Sequence, residues 1–221
     1  MIRKLAFLAA LLLCTTLASA QYLETSLSGG YSHFFPERSG GLFFSRDGAY
    51  VDGDFAWRVP QVVVPTFIGV GVTASGYWDS QDIDYPVFYY DDRGRGGYGD
   101  FGNSHLDSDV DFVEVEPRLA MKLWIPGARG VFVRPRIGAG LLVNNYSVDQ
   151  LEPEFYDFGY IHTLNHTGAA FEVRPAVQLG FERGPFAIGG ELSYMASWGG
   201  FGAMGDVLQE LRAGIFFRFR F

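Results

Sequence analysis

The chain has almost no cysteine and no long apolar run beyond its first twenty residues. Cys14 is the single cysteine among 221 residues. Small secreted domains that rely on disulfides are rich in cysteine, so this class is excluded. A membrane-spanning helix needs about 20 mostly apolar residues, and no segment after residue 20 supplies them. The chain is therefore neither a disulfide-stapled domain nor a helical membrane protein.

Residues 1–20 have the features of a secretory signal peptide. Arg3 and Lys4 precede the apolar run 5–13, and Ala18-Ser19-Ala20 offers a small-residue cleavage site before Gln21. Leu13 precedes Cys14 where a lipoprotein signal needs a small residue, which disfavours lipidation. We expect a cleaved signal at 1–20 and one domain at 21–221, without cysteine in the mature chain.

Basic residues are scarce relative to acidic ones. Lys and Arg number 17 against 25 Asp and Glu, for a net charge of −8. This balance disfavours nucleic acid, whose phosphates would be repelled. The histidines are scattered, with no zinc spacing. The acids of segment 79–109 lack the regular spacing of a calcium loop, so we expect no metal site and no cofactor.

The last eleven residues, LRAGIFFRFRF, alternate strictly. Odd positions from Leu211 to Phe221 are apolar, whereas Arg212, Arg218 and Arg220 occupy even ones. Such alternation predicts a strand with one apolar and one polar face. In water, this strand would present an aggregation-prone edge, which lipid outside and a polar lumen inside would remove.

The same alternation recurs in seven earlier segments, at 23–35, 49–59, 68–78, 113–123, 131–143, 171–181 and 186–194. Short turns at 60–61, 126–130 and 183–185 alternate with longer connections at 36–48, 79–109, 145–169 and 197–206. Pro117, Pro135 and Pro175 lie within predicted strands and are expected to mark bulges or local breaks, since proline lacks a ladder donor. The pattern predicts an all-β fold, an eight-stranded antiparallel up-and-down transmembrane β-barrel with short periplasmic turns and long extracellular loops.

These features resemble the OmpA/OmpX-like family of small outer-membrane β-barrel proteins. The resemblance implies the outer membrane of a Gram-negative-type bacterium, a monomer surrounded by outer-membrane lipid, and insertion by the barrel-assembly machinery. The C-terminal alternation resembles the assembly signal of such barrels, which would comprise Ala213, Ile215, Phe217, Phe219 and Phe221.

The main candidate site consists of charged residues at the strand positions that face inward, which alternate with the apolar, outward-facing positions. An eight-stranded barrel is just wide enough for side chains to fill, so these charges must pair. We predict a balanced lumen charge network of nine acids and nine bases: Glu24, Asp52, Asp54, Glu114, Glu116, Glu172, Glu182, Glu191 and Glu210 with Arg58, Arg118, Lys122, Arg134, Arg136, Arg174, Arg212, Arg218 and Arg220.

The function expected from these features is non-enzymatic. It is an envelope-structural role or a surface interaction with an unknown extracellular partner, made by the acidic, Tyr-rich loop 79–109. The alternative is a narrow passive pore through the charged lumen. A lipid-modifying enzyme is the third reading. The compact candidate for it is His33 with Ser32 and Glu37. Ser32 and His33 are adjacent on a predicted strand, however, and adjacent strand residues point to opposite faces.

Overall fold

The computed structural model describes residues 23–60, 62–90, 96–153 and 159–221, apart from 37–45; the predicted signal peptide and the centre of three long connections lie outside this part. Nine strands follow one another: β1 (Leu23–Pro36), β2 (Asp47–Arg58), β3 (Thr66–Tyr90), β4 (Gly96–Met121), β5 (Leu123–Trp124), β6 (Val131–Pro153), β7 (Gly159–Arg183), β8 (Phe186–Gly199) and β9 (Val207–Arg220). A 3₁₀ turn, Gly202–Met204, precedes β9.

The strands close into a barrel. Strands adjacent in sequence pair in antiparallel fashion, except β4 and β5, which both pair with β6. β1 pairs with β9 from Glu24–Arg220 to Pro36–Leu208. The two-residue β5 continues β4 along β6, and the β4–β6 ladder completes the circle. The predicted eight-stranded antiparallel barrel is therefore confirmed, with its fourth strand interrupted at Lys122.

Alternation along the strands separates two surfaces, because successive side chains point to opposite faces. Outward positions are apolar and exposed, as at Leu27, Ile68 and Leu141, whereas inward positions are buried. Exposed aromatic residues lie near both ends of the barrel: Trp124, Phe186 and Phe221 at the short-turn end, and Phe35, Trp78 and Tyr194 at the other.

The three strand prolines coincide with local breaks in pairing. The β4–β6 ladder skips from Val115–Leu141 to Arg118–Gly138 around Pro117. Pairing is also missing opposite Pro135, where β4 gives way to β5, and around Pro175 on the β7–β8 side. The register is the same on both sides of each gap, so these sites are breaks and not bulges. The missing proline N–H explains them.

Two predicted loops are largely strand. The connection expected at 79–109 continues the β3–β4 ladder to the pair Tyr90–Gly96. The connection expected at 145–169 likewise extends the β6–β7 ladder to Pro153–Gly159. Cross-strand pairing satisfies their backbone groups. Polar residues at 79–82 and at 144–145 interrupt the alternation after the predicted strands, which is why the sequence pattern did not extend those strands. The turn predicted at 60–61 is longer and spans residues 59–65.

No helix in the part of the chain that the structure describes has the length and apolar character needed to cross a membrane.

Candidate functional site

The barrel interior is filled by side chains in three layers. An apolar layer occupies the long-connection end, ion pairs occupy the middle, and aromatic rings with basic side chains occupy the short-turn end. The layers are built from inward positions of the strands, and the connection before β9 adds Phe201 and Met204 to the apolar one. We describe the middle layer first, because it contains most of the predicted charge network.

Glu114 is at the centre of the upper part of the ion-pair layer. Its carboxylate pairs with Arg174 from β7 and with Arg212 from β9. Arg212 also donates from Nε to Glu210 Oε1 at 2.5 Å, and Glu210 accepts from the Tyr77 hydroxyl at 2.5 Å. These contacts connect β3, β4, β7 and β9 across the lumen, with each of these side chains almost fully buried.

Arg118 organises the lower part of this layer. Its guanidinium pairs with Asp52 on β2, and its Nε donates to Glu116 Oε1 at 2.8 Å. Asp52 also accepts from the Thr73 hydroxyl at 2.6 Å and lies 3.5 Å from Arg136 Nη1. A buried carboxylate is stable only when opposite charge and donors replace water, which these partners do.

Glu24 occupies the short-turn end of the network. Its carboxylate lies 3.0 Å from Lys122 Nζ, 3.4 Å from Arg134 Nη1 and 3.7 Å from Arg218 Nε. The contact with Arg218 crosses the β1–β9 seam that closes the barrel. Arg220 is the register partner of Glu24 but pairs with Glu182 at 3.1 Å instead.

Aromatic rings surround these basic groups. The Arg134 guanidinium carbon lies 4.7 Å from the Phe67 ring centroid, and that of Arg218 lies 5.0 Å from Phe216. Cations are attracted to ring faces most strongly where water is excluded. Phe67 and Phe216, which face inward among the charges, therefore stabilise the basic side chains while filling the space between them.

An apolar cluster fills the lumen at the long-connection end. Phe34 meets Tyr77 and Phe112 edge to face there, with ring centroids 4.5 and 5.8 Å apart. The rings of Tyr77 and Phe112 are tilted against each other at 5.5 Å. Phe201 and Met204, beside and within the 3₁₀ turn, are about 1 % exposed and pack into the same cluster. The remaining members are Val110, Leu142, Tyr146, Val148, Ala170, Met195 and Leu208. The lumen is therefore covered at this end.

Two inward glycines leave room for large neighbours. A Cβ at Gly71 would overlap the guanidinium of Arg118. A Cβ at Gly180 would lie 2.7 Å from the Phe216 ring. Glycine at these positions thus allows a long side chain from another strand to cross the lumen.

Of the eighteen predicted lumen charges, fifteen are buried. Arg58 is partly exposed at the short-turn rim, the Glu182 side chain is 8 % exposed, and the Arg220 side chain is 42 % exposed. These three lie at strand ends, where the barrel opens to solvent. The fully buried charges therefore number eight acids and seven bases instead of nine of each.

The apolar cluster was missed by sequence reasoning, although a signal existed. Phe34 shares the parity of Ser32, and Phe112 that of Glu114, so both had to face inward. The inward face was identified by its charges, and the apolar residues that continued it were overlooked. Phe201 and Met204 carried no such signal, since they lie in a connection.

The outer surface presents one polar cluster near the long-connection end. His33 Nδ1 lies 2.6 Å from Asp47 Oδ1, which also accepts a hydrogen bond from Tyr31. Ser32 is fully buried and faces the lumen, so it cannot act together with His33. Within the described residues, no three His, Cys, Asp or Glu side chains gather in a way that could hold a metal ion.

No family model and no curated protein matches the chain. Several solved structures do match it. The outer membrane protease OmpT of Escherichia coli has a TM-score of 0.50 at 8 % identity, over 92 % of this chain and 98 % of that one. Neisserial surface protein A has a TM-score of 0.48 at 11 % identity, over 90 % of this chain and 97 % of that one. Ail, the attachment invasion locus protein of Yersinia pestis, has a TM-score of 0.41 at 15 % identity, over 89 % of this chain and 98 % of that one. The likeness to OmpT concerns the fold alone, which is that of an outer-membrane β-barrel.

Proposed function

We propose that the protein is a non-conducting, non-enzymatic barrel of the outer membrane that serves the envelope or contacts a partner through its long hairpins. The observation that carries this proposal is the filled lumen. Ion pairs bridge opposite walls at mid-height, and the apolar cluster around Phe112 covers the long-connection end. A hydrated path would have to displace both layers.

An envelope location is supported by the outer surface. Leu27, Ile68, Leu141 and their neighbours form an apolar band with aromatic residues near its ends. Apolar bands flanked by aromatic residues are typical of barrels in lipid. A water-soluble protein would rarely expose so large an apolar area.

The hairpins are the surface best suited to a partner. Paired backbone continues from Asp79 to Tyr90 on β3, which is about 40 Å of strand beyond Trp78. The β6–β7 hairpin lies beside it, since β4 pairs with β6 as far as Ser108–Val148. A segment whose backbone is already paired loses less conformational entropy on binding than an unpaired loop of the same sequence. An extracellular partner of segment 79–109 is therefore our preferred hypothesis.

The proposal is tested by single-channel recording in planar bilayers. Folded protein, verified by its heat-dependent gel mobility, is expected to insert without discrete conductance steps, and an open porin serves as the positive control. Regular steps from the protein would overturn the non-conducting assignment and favour the passive-pore alternative. Deleting residues 82–105 should abolish partner binding to whole cells while leaving barrel folding intact.

The absence of catalysis is part of the same proposal. Expression should leave the mass spectrum of lipid A unchanged, and purified barrel should not cleave a mixed peptide library. A new lipid A species or sequence-specific cleavage would contradict it. His33→Ala would then show whether the outer cluster is responsible.

We also infer that the barrel-assembly machinery recognises the outward-facing side chains of β9. Phe217, Phe219 and Phe221 lie on one face of the strand that closes the barrel against β1. Replacing Phe221 with Asp should leave the chain in the periplasm, where it is degraded. An unchanged outer-membrane yield would contradict this role.

A further inference from the structure

A groove of about 1130 Å³ crosses the outer surface over the closing seam of the barrel. Its walls are two rows of cross-strand neighbours. One row runs through Val72, Gly53, Leu27, Phe217 and Ile188, and the other through Val70, Phe55, Thr25, Phe219 and Phe186. The groove is larger than the roughly 300–1,000 Å³ of an ordinary ligand pocket.

The groove owes its depth to a small residue among large ones. Gly53 lies between Leu27 and Val72 in the first row. A Cβ built at Gly53 would meet nothing closer than 3.9 Å, so the space above it is open. Phe217 and Phe219 stand along the seam beside it. The shape and apolar walls suit a flexible hydrocarbon chain.

A basic group lies where the second row reaches the short-turn rim. Arg183, paired in register with Phe186, lines the end of the groove and is exposed. Within the described residues, Arg183 makes no ion pair, whereas its neighbour Glu182 is engaged by Lys122 and Arg220. A free guanidinium beside an apolar groove is complementary to a phosphate attached to a hydrocarbon chain.

We propose that this groove holds one anionic phospholipid of the periplasmic leaflet, with an acyl chain between the two rows and its phosphate on Arg183. The proposal rests on the membrane location proposed above. A lipid bound across β1 and β9 would cover the seam where the barrel closes. The occupant is a phospholipid and not free phosphate, because the groove contributes apolar contacts along its whole length.

Two variants separate the headgroup from the chain. Arg183→Gln removes the charge, with Arg129→Gln as its control, since Arg129 is an exposed arginine of the β5–β6 turn. Gly53→Leu fills the groove without backbone strain, and Ala139→Leu on the outer face of β6 is its control. Heat-dependent gel mobility confirms that each variant is folded.

Native mass spectrometry of the folded barrel measures retention of phosphatidylglycerol and of phosphatidylcholine with the same chains. We expect wild type to retain one phosphatidylglycerol preferentially, and Arg183→Gln to reduce this preference about fivefold. Gly53→Leu should weaken retention of both lipids, and inorganic phosphate should not compete.

Equal retention of the two lipids by wild type, or equal effects of each variant and its control, would overturn the proposal. Competition by inorganic phosphate would assign Arg183 to a free anion and would also overturn it. Failure of the barrel to insert into vesicles would instead contradict the membrane location, so the two proposals fail in distinguishable ways.

Discussion

Lys122 Nζ lies 3.0 Å from Glu24 Oε1, and this contact spans the lumen from the junction of β4 and β5 to β1, which pairs with neither of them. Lys122 occupies the interruption between β4 and β5, where its backbone N–H donates to Pro65 O at 2.8 Å. The same ammonium lies 2.6 Å from Glu182 on β7. One lysine at a break in the ladder therefore connects three parts of the wall.

Glu24→Gln should destabilise the barrel by about 3–5 kcal/mol, because it leaves Lys122, Arg134 and Arg218 around a neutral side chain. Equilibrium unfolding by guanidinium in lipid vesicles measures the change. Asp109→Asn on the exposed face is the control and should change stability by less than about 1 kcal/mol. Equal effects would show that the Glu24 contacts contribute little.

The ion-pair layer should be insensitive to salt. Its members, such as Glu114 and Arg212, are almost fully buried, and buried pairs are screened much less than exposed ones. Raising sodium chloride from low to high concentration should change the free energy of unfolding in urea by less than about 1 kcal/mol. A steep fall would indicate that water and ions reach the network.

Gly71→Ala should destabilise the barrel by about 1–3 kcal/mol, because the new methyl group overlaps the Arg118 guanidinium. Gly53→Ala is the matched control, since its Cβ enters open space on the lipid side. Comparing their unfolding midpoints separates steric overlap from the general effect of replacing glycine. Similar midpoints would contradict the close approach of Arg118.

Phe112→Ala should cost about 3–5 kcal/mol, as expected for a large ring removed from a packed core. The control is Leu141→Ala, whose side chain is 63 % exposed on the outer face. It should cost less, because lipid can fill the space left by the shorter side chain. If Phe112→Ala costs no more than the control, the apolar cluster is not a packed layer.

The period-two pattern was sufficient to predict eight strands, their inward and outward faces and the closure of the first strand against the last. In β1 and β9, every second side chain faces the lumen. A shift of one residue would turn all the apolar side chains inward, so the pattern allows only one assignment of faces. The extension of β3 to Tyr90 was not predictable in this way. Polar residues at 79–82 interrupt the alternation after Trp78, and the strand continues past them through cross-strand hydrogen bonds.

Which lumen charges pair with each other could not be predicted from the sequence, because it depends on how far neighbouring strands are shifted along one another. Alternation placed Glu24, Arg218 and Arg220 in the lumen without assigning partners. The structure brings Arg218, Lys122 and Arg134 to Glu24, whereas Arg220 pairs with Glu182. Lys122 comes from across the lumen, a relation that no local pattern contains. The register between neighbouring strands sets the position of every side chain along the barrel axis.

Sequence alone therefore determined the barrel, its apolar exterior and the polar character of much of its interior, because strand geometry assigns alternate residues to opposite faces. Only the tertiary structure decided that an apolar cluster fills one end of the lumen and which charges neutralise each other. Those properties arise when residues as distant as Phe34 and Phe201, or Glu114 and Arg212, are brought to one height by the curvature of the closed sheet.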